Sequence, residues 1–280
     1  MTIFVFPGQG SQTKEMGKDL FPLFPDLVKQ ASTVLGYDIA ELCLTGGDRL
    51  NQTNFTQPAL FTVNALHYLK KKSESGKNPD YVLGHSLGEY NAYFAAGVCD
   101  FITGLQLVKK RGELMSRSKG GAMAAIIGPK SDDISKALLD AAIPGISVAN
   151  FNSYTQTVVT GTQEAVTRSK TVFEPMNALF FPLNVTGAFH SPLMKEAQSE
   201  FSEYIRQFKL NPPVIPIIAN ITAKPLENAD LQSNLVSQIT DPVRWLQSVS
   251  WLLEKNQTDF EELGPGKVLT GLIQKIKQGK

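Results

Sequence analysis

The chain has 280 residues, with 27 lysines and arginines against 26 aspartates and glutamates, a formal net charge of +1. That length suits one large domain, or a large one carrying a smaller one. The charge balance excludes a global polyanion binder, which would carry a basic stripe.

Cys43 and Cys99 are the only cysteines, so no disulfide framework is implied. A single bridge is left open, and the apolar neighbours favour two buried free thiols. No run of eighteen apolar residues marks a membrane span, and MTIFVFPGQG lacks the basic start of a leader peptide. The lysines of LKKK at 69–72 read as a solvated helix end. The expectation is a soluble cytoplasmic protein with neither nucleic acid nor membrane as partner.

In chain order, 3–6 is a short apolar run of the buried-strand type. The turn that follows, PGQGSQ, lacks the G-x-G-x-x-G spacing of a dinucleotide fold. A helix is expected over 20–35. A stronger one spans 57–72, where Ala59, Val63, Leu66 and Leu69 recur at helical spacing and lysines fill the last turn. The segment 81–83 reads as a central strand, 84–88 as a turn and 87–96 as a helix closed by Gly97. Asp100 caps a further helix over roughly 101–118.

The pattern then changes scale. Strands are expected at 121–127, 146–151, 155–160 and 179–185, and helices at 131–141 and 162–176, with a hairpin turn at Asn152 and Ser153. This βαββαβ order is the split plan of a ferredoxin-like unit, placed at 121–186. After it come an amphipathic stretch at 193–208, a strand at 214–220, a helix at 242–255, a short strand at 259–263 and a helix at 267–277. Alternating strands and helices argue for a parallel sheet covered on both faces. The large part is thus expected over 1–120 and again over 187–280, with the small unit inserted between.

Residues 84–88, GHSLG, satisfy G-x-S-x-G in the strand–turn–helix context that exposes a nucleophile. The competing reading of Ser86 is a helix cap. As a nucleophile it needs a base, and the amide of Leu87 would face an oxyanion. Of three histidines, His67 sits inside a helix, and His85 would point away from its neighbour around so sharp a turn. His190, in a loop at the edge of the small unit, is the base by elimination. No distinctive acid stands out to orient it. Glu89, Asp100, Glu113, Asp132, Asp133, Asp140, Glu164 and Glu174 mostly fit capping or solvated roles, so a backbone carbonyl is the other option. Arg111 lies near the edge of a buried helix face. It is either a surface arginine or a bidentate clamp on a carboxylate.

Seven stretches carry a resemblance over essentially the whole chain: FPGQGSQ at 6–12, FTQPALF at 55–61, GHSLGEY at 84–90, VKKRGELM at 108–115, GAFHS at 187–191, DPVRW at 241–245 and ELGPGKVLTGL at 262–272. Together they resemble the malonyl-CoA:acyl-carrier-protein transacylases, especially the free-standing acyltransferases that serve modular polyketide synthases in trans. The resemblance implies an α/β fold, with a hydrolase-like core of parallel sheet flanked by helices, a small ferredoxin-like lobe and the site between them.

It also implies that Ser86 carries the acyl group as an ester, and that His190 acts as general base and then protonates the departing thiolate. The imidazole would be held by a main-chain carbonyl at the position matching Arg244. Gln9 and the Leu87 amide would form the oxyanion hole. Arg111 would pair with the malonyl carboxylate, Phe189 would favour malonyl over methylmalonyl, and Gln57 would line the pocket. No bound cofactor is implied. Malonyl-CoA is a substrate, the acyl carrier protein bears the accepting phosphopantetheine thiol, and the family is usually monomeric. Two other readings stand beside this one: a trans-acting hydrolase that clears acyl carriers, and a non-catalytic carrier-binding protein. A fatty-acid pathway is the alternative to a polyketide one.

Overall fold

The computed structural model describes residues 2–185 and 187–280. Its first strand, β1 (Thr2–Phe6), splits its side chains between two cores, Phe4 and Phe6 in one, Ile3 and Val5 in the other. Period-two alternation buried on both faces is what a continuous apolar run encodes in a parallel sheet. Helices α1 (Pro25–Leu35), α2 (Ile39–Thr45) and α3 (Thr53–Ser75) follow. Then come β2 (Tyr81–Gly84), α4 (Gly88–Ala95) and α5 (Phe101–Arg117). The Asp100 carboxylate accepts from the Thr103 N–H at 2.7 Å, so the expected cap of α5 is in place.

The small unit contains β3 (Gly121–Ile127), α6 (Ser131–Ala141), β4 (Ile146–Ser153), β5 (Gln156–Thr162), α7 (Gln163–Phe173) and β6 (Leu179–Pro182). Its strands pair antiparallel in the order β4-β5-β3-β6, the ferredoxin-like arrangement. Ile126, Ile134, Val159, Val166 and Phe173 form a separate core between this sheet and its helices. The last residue of the expected 121–186 span lies outside the described residues.

The chain continues through α8 (Lys195–Ile205), α9 (Leu231–Ser237), α10 (Trp245–Glu254), β7 (Asp259–Glu262) and α11 (Val268–Lys277). β1 pairs in parallel with β2 on one side and β7 on the other. Trp245, Val249, Leu269 and Ile273 cover the face that carries Ile3 and Val5.

Two local expectations need correction. The segment 214–220 makes only bridges, Val82 to Ile217 and Ile218 to Pro225. Pro216 interrupts it, since proline has no N–H to give a ladder, and the Val214 N–H goes instead to the Ala96 carbonyl. The hairpin turn is not at Asn152 and Ser153, which belong to the buried end of β4, but at Tyr154 and Thr155. Both of the polar residues have partners there. Asn152 Oδ1 meets His85 Nε2 at 2.8 Å, and the Ser153 carbonyl accepts from Ser131 Oγ.

Cys43 and Cys99 are buried free thiols, and burial pushes each up to about 12. Among the described residues no helix is long and apolar enough to cross a membrane.

Candidate active site

The turn between β2 and α4 is tight enough to exclude side chains at its shoulders. A Cβ on Gly84 would overlap the Gly88 backbone, and one on Gly88 would overlap the Phe6 carbonyl. At its apex Ser86 sits at φ 51°, in the left-handed region that non-glycine residues avoid. Asn220 staples the strained apex, its Oδ1 accepting from the Ser86 N–H at 2.8 Å and its Nδ2 donating to the Gly84 carbonyl at 2.6 Å. A side chain held at an outlying backbone angle by such bonds is a mark of function rather than of simple capping.

His190 is also left-handed, at φ 58°, and only 4% exposed. Its Nε2 lies 2.7 Å from Ser86 Oγ. Its Nδ1 meets two carbonyl oxygens, Gln238 at 2.8 Å and Asp241 at 3.1 Å. Carbonyls only accept, so Nδ1 carries the proton and Nε2 is free to accept the serine hydroxyl.

The carbonyls that hold the imidazole are therefore not that of Arg244. The Arg244 oxygen accepts from the N–H and Oγ of Ser248, each at 2.9 Å. The reason is positional. Arg244 caps the start of α10, where its carbonyl accepts the first helical bond, whereas Gln238 follows the end of α9, where carbonyls lack helical partners.

Burial, with the Arg111 cation next in importance, pushes His190 down from 6.5 to about 3. The unfolded chain thus takes up this proton first. The group's contribution to stability is fully present above pH 6.5 and is lost as pH falls from there toward 3. Histidine ¹⁵N NMR of the free protein checks this: the His190 ring should stay neutral, protonated on Nδ1, at pH 5. A ring half-charged near pH 6.5 would contradict it.

Arg111 is not a surface residue. It is 1% exposed, reached from α5 into the same cleft. Nη1 donates to Gln57 Oε1 at 2.8 Å, while Nη2 donates to Gln238 Oε1 at 2.9 Å and to Ser86 Oγ at 3.1 Å. Its Nε is buried with no hydrogen-bond partner among the described residues, and its guanidinium lies 5.6 Å from the Tyr90 ring centre. Among the described residues no carboxylate comes within ion-pairing distance of it. Desolvating a cation without a directly paired anion costs several kcal/mol, and here the hydrogen bonds from Gln57, Gln238 and Ser86 offset part of that cost.

Ser86, His190, Arg111, Gln57, Gln9 and Phe189 line one narrow cleft of about 100 Å³. Met115, Met123, Leu183 and Val185 supply apolar walls. Gln9 is half-buried and donates to Thr53 Oγ1 at 3.2 Å. Leu87 directly precedes α4; the N–H groups of Gly88, Glu89 and Tyr90 bond back to the carbonyls of His85, Ser86 and Leu87, and among the described residues the Leu87 N–H itself meets no acceptor. Phe189 is 6% exposed beside the base. His85 does not pair with the serine; its ring bonds Asn152 and faces Trp245. His67 is half-buried on α3, away from these residues.

Three members of the site lay outside the sequence reading. Asn220 and Gln238 sit in no recognisable spacing. Glu89 was weighed only as a capping or solvated acid, yet it is fully buried. Burial raises its carboxyl to about 7, against the hydrogen bonds of Asn220, Asn234 and Gln238, which lower it.

A serine on a strained elbow, a neutral imidazole and a buried cation in a hydrolase-like α/β frame define a serine-dependent acyl-transfer enzyme. A family model for the acyl transferase domain matches residues 3–278, and the chain belongs to that family. It is 50% identical over 280 residues to a polyketide biosynthesis malonyl CoA-acyl carrier protein transacylase of Bacillus velezensis, covering 99% of this chain and 97% of that one. A protein of the same description from Bacillus subtilis is 48% identical, with 99% and 98% covered. The crystal structure of malonyl CoA-acyl carrier protein transacylase from Burkholderia pseudomallei superposes with a TM-score of 0.95 at 44% identity, covering 100% of this chain and 99% of that one.

Proposed function

We propose that this protein moves a malonyl group from malonyl-CoA to the phosphopantetheine thiol of an acyl carrier protein, through a malonyl ester on Ser86, and that it serves a polyketide synthase in trans as a cytoplasmic monomer. The observation that carries the reading is the buried Arg111, 3.1 Å from Ser86 Oγ and, among the described residues, without an ion pair. A free carboxylate at the far end of a thioester substrate supplies the missing anion.

In the first half reaction His190 Nε2 takes the Ser86 proton as Oγ bonds to the thioester carbonyl carbon. The C–S bond then breaks, and the thiolate of CoA leaves with that proton from His190. In the second, His190 takes the proton of the carrier thiol, whose sulfur attacks the acyl-serine. The C–O bond breaks and the proton returns to Ser86 Oγ. Both tetrahedral intermediates place an oxyanion beside the Leu87 amide and Gln9. One preorganised donor of this kind contributes about 3 kcal/mol. The carbonyls on Nδ1 keep the ring in the productive tautomer throughout. The apolar side chains Met115, Met123, Leu183, Val185 and Phe189 limit water at the ester, which favours a thiol as acceptor. Phe189, a bulky side chain lining the cleft beside His190, is in keeping with malonyl rather than a branched analogue.

Incubation with malonyl-CoA, acetyl-CoA or methylmalonyl-CoA without carrier, followed by intact mass measurement, tests this. A malonyl adduct that maps to Ser86 and outpaces the other two is expected. No adduct from any of them would remove the proposal.

A further inference from the structure

Glu89 is the one fully buried acid of the site, and the mechanism above gives it no task. It does not touch His190. Its Oε1 accepts from the Asn220 N–H at 2.9 Å and from Asn234 Nδ2 at 3.1 Å, and its Oε2 accepts from Gln238 Nε2. Every one of these partners is a donor, the pattern that suits an acceptor-only carboxylate.

Gln238 is the hub on which this acid acts. Its Nε2 also donates to the Ser86 carbonyl at 2.9 Å, its Oε1 accepts from Arg111 Nη2 at 2.9 Å, and its main-chain carbonyl holds His190 Nδ1 at 2.8 Å. Turning this amide over would set oxygen against the Ser86 carbonyl and the Glu89 carboxylate, and an NH2 against the guanidinium. Only one orientation leaves Oε1 facing Arg111.

We infer that Glu89 is a positioning residue, acting through the Gln238 side chain to aim the Arg111 guanidinium at the substrate carboxylate. The acid that a serine–histidine pair ordinarily places on the imidazole is here one residue removed and serves selection of the acyl group. This rests on the malonyl-transfer reading and adds to it a determinant of selectivity that no substrate atom touches.

The chemistry of Glu89→Gln follows directly. An NH2 in place of Oε2 would face the NH2 of Gln238, and relieving that clash turns the Gln238 amide so that it presents a donor to Arg111. The clamp then loses its acceptor and meets a repulsive neighbour. Loading of Ser86 in single turnover, followed by intact mass, measures the effect. For Glu89→Gln the rate with malonyl-CoA should fall about 100-fold and that with acetyl-CoA about tenfold, so the malonyl-to-acetyl ratio falls about tenfold.

Gln238→Leu removes the amide but keeps the main-chain carbonyl on His190. It should lower the ratio by a similar factor, and the double variant should lower it no further, because both changes cut one path. A folded Glu89→Gln that slows both substrates equally would overturn the inference, as would a Gln238→Leu that keeps the wild-type ratio or a double variant whose losses multiply. Should Glu89→Gln not fold, Gln238→Leu alone decides. Wild-type protein that takes no malonyl group on Ser86 would instead sink the function reading, and this inference with it.

Discussion

Arg111→Ala should cut malonyl loading of Ser86 about 1,000-fold while slowing acetyl loading less than tenfold. The asymmetry follows from what the arginine lacks. It is buried and charged, Gln57, Gln238 and Ser86 give it hydrogen bonds, and the Glu89 carboxylate acts on it only from across the Gln238 amide, without a direct ion pair among the described residues. Malonyl brings a directly paired anion; acetyl does not, and leaves the cation as it stood. Removing the side chain takes away a charge-assisted pair from one substrate only. Lysine in its place should recover little, since its single ammonium cannot span Gln57 on one side and Gln238 on the other as a planar guanidinium does. Stopped single-turnover loading with both thioesters measures the ratio, and equal losses on both would end the clamp reading.

Loss of the base should be larger still. His190→Ala should slow acylation by about 10⁴-fold or more, and Ser86→Ala should give no acyl-protein at all. In the proposed mechanism the hydroxyl loses its proton along the 2.7 Å contact between Ser86 Oγ and His190 Nε2. A serine hydroxyl without a base is a weak nucleophile. Combining the two changes should cost no more than the serine change alone, because the residues act as a unit. A mass adduct on the Ser86→Ala protein would place the nucleophile elsewhere.

How much of this could be read in the sequence depends on the range of each interaction. The elbow was legible because its chemistry is local: two glycines at fixed offsets, a serine between them and an apolar strand before it. The small unit was legible because β3 to β6 and their two helices follow the βαββαβ order at short spacing. The 214–220 segment misled because its apolar content outweighed Pro216, whose missing N–H decides against a ladder.

Arg111 could be placed near a buried edge by helical periodicity, but its partners come from α3, from the elbow and from the chain after α9, so its role had to come from resemblance. The carbonyl on His190 escaped for a related reason. A main-chain acceptor has no residue type to recognise, and which oxygen is free depends on where α9 ends and α10 begins. Gln238 and Asn220 carry no signal of their own. Glu89 stood in plain view inside GHSLGEY, but burial of an acid in the first turn of a helix is a tertiary fact. Only Asn220, Asn234 and Gln238, well over a hundred residues further along, make that burial tolerable.

The central claim is that Ser86 holds a malonyl ester that a thiol drains faster than water does. Wild-type protein would be loaded with malonyl-CoA, freed of excess thioester, and divided between buffer and a holo acyl carrier protein. The mass of both proteins would then be followed in time, with peptide mapping of the adduct. The account predicts a malonyl group on Ser86 that persists in buffer and passes intact to the carrier. An adduct lost to water as fast as to the carrier would make the protein a hydrolase, and an adduct on any other residue would contradict the site itself.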